Sequence, residues 1–360
     1  MKTVTKFFKK TLLVCFLIAT SYGFAQTTHI VDNNVGTAPD FTDVQSAIDS
    51  AADGDIIYVQ QSATNYGSVD IIEKGLTIIG RSSSDSGYKT QLNIALNENS
   101  SNTTIKGIEG SISESAQAVF ASIENIVISD CLLSFINLNS SNIKNNILVQ
   151  GNVIGSMNIG GGSMPGNILV TNNIFNGSSI RFSNPDTVLF TNNIVKYSGS
   201  AISGSTTETL NISNCIFITT FNFFATQDVE INMTGNYQIN NCLTYLYDGT
   251  SLTFATNTSP INTVQNTLLN TDPLFTSVDP SGVSIASTGS FNPFEDDLTL
   301  QAGSSALGSG SGGVDMGIYE GYVFKQFGTP TGYSSIKIDS YSATVPKNSD
   351  LTVTIKAKTN

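Results

Sequence analysis

The clearest pattern in this chain is a two-residue alternation of aliphatic and polar positions that restarts every twenty or so residues. Asn167-Ile168-Leu169-Val170-Thr171 and Thr187-Val188-Leu189-Phe190-Thr191 are two such runs. Alternation with β-branched residues predicts strands buried on one side. A short phrase follows such runs: a polar residue or Gly, then Asn or Cys, then two residues that are usually aliphatic. It occurs at Asp130-Cys131-Leu132-Leu133, Gly151-Asn152-Val153-Ile154, Asn172-Asn173-Ile174-Phe175, Asn192-Asn193-Ile194-Val195, Asn214-Cys215-Ile216-Phe217 and Asn241-Cys242-Leu243-Thr244. Its second position advances by 21, 21, 20, 22 and 27 residues. A short period with a strand in every unit predicts stacked coils, each burying its face on the next. Leu76-Thr77-Ile78-Ile79-Gly80 and Thr104-Ile105-Lys106-Gly107-Ile108 read as looser early coils.

The second position of the phrase predicts a structural ladder of Cys131, Asn152, Asn173, Asn193, Cys215 and Cys242. Asn side chains recurring at one turn stack so that each amide bonds the coils above and below. A compact Cys substitutes there as a small hydrophobe. A metal site is not expected, nor any cofactor. Cys131 and Cys215 stand four coils apart, roughly 19 Å at the spacing of paired strands, and no histidine joins them. Cys215 and Cys242 fall on neighbouring coils, within reach of a disulfide but in an awkward direction for one. The expectation is buried thiols.

The ends of the repeat have their own signals. Thr42-Asp43-Val44-Gln45 reads as a capping box, with Val44, Ala47, Ile48 and Ala51 following at helical spacing. Asp53-Gly54-Asp55 stops that helix, and Ile56-Ile57-Tyr58-Val59 begins a strand. A short helix before the first coil suits a solenoid cap. Asp53 and Asp55 admit a calcium site, but a polar turn is the simpler account. At the other end Thr329-Pro330-Thr331-Gly332 reads as a linker, and Ile336, Ile338, Leu351, Val353 and Ile355 predict two short strands. Thirty residues are too few for a core of their own.

Composition and charge then narrow the classes. Lys2, Lys6, Lys9 and Lys10, an apolar run over residues 11–20 and Gly23-Phe24-Ala25 have the layout of a secretory signal peptide over residues 1–25. No later segment has the length and apolarity of a membrane span. Cleavage removes four lysines and no acids, taking the formal net charge from −12 to −16. So acidic a chain is a poor partner for nucleic acid or anionic lipid. Charged residues are only 12% of the sequence and Trp is absent, which argues for one long Asn- and Ser-rich repeat domain rather than two helical ones.

Two stretches resemble pectin-lyase-like right-handed parallel β-helix proteins. The first is FTDVQSAIDSAADGDIIYVQ with IIEKGLTIIG. The second is Asp272-Pro273-Leu274-Phe275, DLTLQAGSSALGSG and Asp315-Met316-Gly317-Ile318-Tyr319-Glu320-Gly321. The signal style and the ending VTIKAKTN resemble secreted proteins of the Bacteroidetes group. The likeness implies an all-β, right-handed parallel β-helix over residues 26–321, with a short N-terminal capping helix. A linker and small C-terminal β tail occupy residues 322–360. The resemblance also implies that the closing stretch forms the last coils.

Members of that family include polysaccharide lyases and glycoside hydrolases, but their chemistry is not evident here. A lyase needs a base beside a cation or calcium-binding acids, and an inverting hydrolase needs converging carboxylates. The arginines are Arg81 and Arg181, and the one histidine, His29, reads as a solvated strand residue. One face is less bland. Arg181 points outward between Ile180 and Phe182. Lys196, Tyr197, Glu208, Phe223, Asp228, Tyr245 and Tyr247 follow around an insertion, and insertions on solenoids often build the binding face. These residues form the candidate glycan-contact face. The expectation is a secreted or cell-surface, non-catalytic glycan-binding or adhesion module meeting extracellular polysaccharide or a cell-surface glycan. A polysaccharide lyase or glycoside hydrolase is the alternative.

Overall fold

The computed structural model describes residues 26–81, 89–115, 122–139, 143–161, 166–196, 200–219, 229–246, 253–256, 262–277, 296–324, 334–341 and 353–359. The proposed leader lies outside them. The chain is a parallel β-solenoid, nearly all-β, with a single helix among the described residues. Its strands stack in three faces. The first runs from Thr28–Val31, Ile56–Val59, Thr77–Gly80 and Thr104–Lys106 through residues 126–129 and 147–150. It continues with Asn167–Thr171, Thr187–Thr191, residues 209–213 and 237–240, and ends at Asn262–Gln265. The second comprises residues 109–110, 132–133, 153–154 and 174–176, then Ile194–Lys196, Ile216–Thr219 and Leu243–Leu246. The third begins at Ser68–Ile71 and Gln91–Leu96 and runs to Phe254–Thr256 by way of residues 111–114, 135–139, 156–160, 179–183, 202–205 and 230–234.

The repeated phrase is the corner between the first and second faces. Its first residue has positive φ at Asp130, Gly151, Asn172, Asn192, Asn214 and Asn241, and Gly107 and Asn266 continue the series. Asn, Asp and Gly tolerate this left-handed backbone best. The second residue then points inward. Asn173 donates its amide to Val149 O, Thr171 O and Asn193 Oδ1 at 2.9, 2.9 and 3.0 Å. Its own Oδ1 accepts from the Asn152 backbone and amide, both at 3.0 Å. Three amides thus form an internal ladder ended by cysteines: Asn152 Oδ1 accepts from Cys131 N at 3.0 Å, and Cys215 Sγ from Asn193 N at 3.5 Å. Cys131, Cys215 and Cys242 are all buried free thiols. Burial pushes the Cys131 thiol up to about 12.

The two aliphatic residues of the phrase split between inside and outside. Ile154, Phe175, Val195 and Phe217 enter the main core, where Phe175 packs on Phe190 at 5.5 Å between ring centroids. Val153, Ile174, Ile194, Ile216 and Leu243 face out and belong to a second apolar cluster with Ala306, Met316, Ile318 and Phe324. Those four partners come from the closing stretch. Residues 301–324 therefore do not add the last coils that the resemblance implies. They run back along the corners as a strap. Asn241 donates to Ser309 O at 3.0 Å, and Asn214 Oδ1 accepts from Ser311 N at 2.8 Å. Asn192 donates to Asp315 O and Gly317 O, and Asn172 to Ile318 O and Glu320 O. Tyr322 Oη donates to Asp130 Oδ1 at 2.6 Å. Gly151 makes room for that ring, since a Cβ there would lie 2.4 Å from Tyr322 Cε1.

The N-terminal cap is the helix Val44–Ser50, with Val44, Ala47 and Ile48 buried. Asp43 rather than Thr42 is its N-cap, accepting from Ser46 N at 2.8 Å. Gln45 turns instead to the open edge of Ser68–Ile71, where its amide bonds both backbone groups of Asp70. Asp53 and Asp55 serve the turn. Asp53 accepts from Gly75 N, and Asp55 accepts from Thr27 N and Ala52 N. His29 is not solvated as its position suggested: it meets Asp55 Oδ2 at 3.1 Å and packs edge-on against Phe41. Burial would raise the Asp55 pKa, but the hydrogen bonds from Thr27, His29 and Ala52 outweigh it and hold the carboxyl below its ordinary value. Midway along, Lys144 and Glu114 form a fully buried pair at 3.0 Å. Ser334–Tyr341 and Val353–Thr359 pair antiparallel as the C-terminal β tail.

Candidate functional site

The bend from the second face to the third is concave. Ser134 is an extra residue relative to the preceding coil, and residues 176–178 stand opposite Gly155 alone on the coil that follows, so the register shifts twice along this bend. A Cβ at Gly155 would stand 2.5 Å from Ser134 O, and one at Gly177 only 1.8 Å from Gly155 O. Glycine lets successive coils press together at this seam. The seam opens into a cavity of about 340 Å³ lined by Glu109, Leu132, Ser134, Val153, Gly155 and Asn176, among others. Its floor is apolar. At one end Glu109 Oε2 meets Lys89 Nζ at 2.7 Å.

The outward residues of the third face continue from this seam. Phe135 is 39% exposed and stands in register with Ser111 and Ser156 on the coils either side. Two residues along each strand, Asn137, Asn158 and Arg181 stand in register on consecutive coils. Alternation puts Phe135 and Asn137, Ser156 and Asn158, and Ser179 and Arg181 on one side of the sheet. The result is a ring flanked by hydroxyls, then a row of amides ending in a guanidinium.

Of the residues proposed from the sequence, Arg181 alone among the described ones belongs to this surface. Lys196 and Tyr245 lie on the second face, in register through Ile218. Lys196 is half-buried, and its desolvation lowers the ammonium pKa despite the nearby Asp296. Tyr245 is raised by burial and by its contact with Asp272. Both are tied to the segment that arches over the second face. Glu208 sits at the corner between the third and first faces and accepts from Thr187 Oγ1 at 3.1 Å. Tyr197, Phe223, Asp228 and Tyr247 lie outside the described residues. Sequence reasoning missed Phe135, Asn137, Asn158 and Glu109. The available signal for the first three was their outward phase beside Ile136, Leu138, Met157 and Ile159.

The architecture is a parallel β-solenoid, consistent with a pectin-lyase-like β-helix. No protein-family model matches the chain, and no curated protein matches it.

Proposed function

We propose that this is an exported, surface-exposed β-solenoid that holds an extracellular glycan against the third face and its seam, without processing it. The carrying observation is the column Asn137, Asn158 and Arg181 beside the exposed Phe135 and the seam cavity. A sugar ring has apolar C–H faces and a rim of hydroxyls. An exposed aromatic with convergent amides and a guanidinium suits both parts. Coils rise about 4.8 Å each, close to the length of one hexopyranose unit, so polar groups on successive coils meet successive sugars. The acidic surface favours neutral or sparsely charged chains. The test is retention of the mature protein on a panel of immobilised polysaccharides, with released reducing and unsaturated ends read in parallel. Retention without product, weakened at least tenfold by Phe135→Ala with Asn158→Ala, supports the proposal. Retention unchanged in that variant removes this face.

One observation favours the catalytic alternative. Glu109 lines the cavity and is paired with Lys89, and a carboxylate in a cavity is the kind of group that general acid–base chemistry uses. Product from any glycan, abolished by Glu109→Gln while retention persists, would convert the reading to a lyase or hydrolase.

A further inference from the structure

The outer side of the first face carries an unexplained surface. From residues 126–129 to Asn262–Gln265, seven strands pair in parallel with no shift of register. Along the middle of this sheet Val127, Leu148, Leu169 and Leu189 fall in one column on four consecutive coils, continued by Asn211 and Gln238. None of the four is buried, and Leu189 is 41% exposed. The outward positions of these seven strands hold aliphatic, hydroxyl and amide residues and no charged one. That is notable in a chain of net charge −12. At its edge Glu208 accepts from Thr187 Oγ1, but the middle of the strip can meet its like without charge repulsion.

We infer that the first face is a self-association surface, covered by the same face of a second copy. Flat sheets pack face to face about 10 Å apart, with aliphatic columns interdigitating. Seven strands at about 4.8 Å and five residues at about 3.3 Å give a patch of about 500 Å² per copy. Two such patches bury about 1,000 Å², the lower bound for a specific interface. The dimer is therefore weak and reversible, with dissociation on the order of 10 µM. A basic or anionic partner meets no charged side chain along the middle of this strip. The strap leaves it open, because its anchors lie on the second-face side of the corners.

Sedimentation equilibrium of the mature protein between about 1 and 100 µM tests the inference, since this range brackets the expected affinity. The mass-average should rise from one chain toward two. Leu148→Glu with Leu189→Glu places like charges across the interface and should hold the protein at one mass throughout. Leu189→Gln, which adds no charge, should shift the midpoint by roughly fivefold to tenfold. Unchanged circular dichroism shows that the variants fold. A wild-type protein that stays at one mass overturns the inference, as does a double variant that still doubles. If the wild type stays at one mass yet sediments with an insoluble neutral polysaccharide, and the double variant does not, the occupant is a glycan rather than a second copy. Because the first and third faces are separate, Phe135→Ala with Asn158→Ala should leave the association intact whatever the outcome of the glycan panel.

Discussion

Replacing Asn173 tests whether the inner ladder or simple core filling holds the coils in register. The side chain is fully buried and its Oδ1 accepts from the Asn152 backbone N–H at 3.0 Å. Asn173→Ala leaves that N–H unpartnered in a dry interior, at a cost of about 1–3 kcal/mol. It also removes the donor to Val149 O and Thr171 O, each net bond being worth about 1 kcal/mol, and leaves a small cavity. The total is about 3–5 kcal/mol. Asn173→Cys should cost less by about 1–2 kcal/mol, because the chain already shows how a thiol serves this position. Cys215 Sγ accepts from Asn193 N and donates to Ser213 O at 3.1 Å. Asn173→Leu fills the volume but satisfies nothing, so it should be no better than Ala. Urea unfolding midpoints rank the three variants, and hydrogen exchange at the Asn152 amide reports the orphaned donor directly. A solenoid can unfold in segments, so the exchange measurement guards against a midpoint that reports another part of the molecule. If Leu equals wild type, or Cys is worse than Ala, the ladder contributes volume only and the hydrogen-bond argument is wrong.

Three further outcomes follow from the other buried polar groups. Tyr322→Phe removes a charge-assisted bond to Asp130 worth about 1.5–3 kcal/mol, and should raise proteolytic cleavage within residues 301–324 while leaving the coils protected. Burial and the Asp130 charge raise the Tyr322 phenol above its ordinary value. Its stabilising effect is therefore complete below about pH 10 and is lost as pH rises toward the folded value, so strap cleavage should accelerate in alkali in wild type and not in the Phe variant. Lys144→Met strands Glu114 in the core and should cost about 3–5 kcal/mol, whereas Lys144→Met with Glu114→Leu should recover most of the loss in thermal midpoint. Asp55 has a lowered folded pKa, so its contribution is present above its unfolded value near 3.8 and disappears as pH falls below it. Asp55→Asn should lower the melting midpoint at pH 7 and converge with wild type as pH falls through the lowered folded value.

Local signals carried the coils, the capping helix and the terminal hairpin, because each is set by alternation, helical spacing or turn residues within a few positions. The corner phrase shows where that legibility stops. An Asn at the first position is fully explained by its left-handed backbone, so nothing in Asn172 or Asn192 announces that its amide also holds the strap. Those partners stand 146 and 125 residues away along the chain. Likewise, a second aliphatic residue after each corner reads as more core. Ile174, Ile194 and Ile216 do become buried, but outside the barrel and beneath the strap. Arg181 was legible because a cation between Ile180 and Phe182 has only one way to point. Phe135 was not, since a lone Phe in a strand is ordinarily buried. The seam cavity arises from a shift of register, which leaves no period to detect.

A repeat makes each coil comparable with the next, and the exceptions can then be weighed one column at a time. On the outer third face, Arg181 follows Asn137 and Asn158 and precedes Ser203, so the cation is an exception among uncharged neighbours. Phe135 is likewise an exception among serines. Neither change helps the coil stack: a buried neighbour gains nothing from the guanidinium, and the exposed ring keeps 39% of its surface in water. On the second face the exceptions run the other way. Lys196 and Tyr245 share a column with Asn176 and Ile218, and the segment over that face gives them Asp296 and Asp272. A departure from the repeat that is answered within the chain is structural. One that is left facing solvent is where the proposed glycan would rest, and that distinction selects Phe135 and Arg181 over Lys196 and Tyr245.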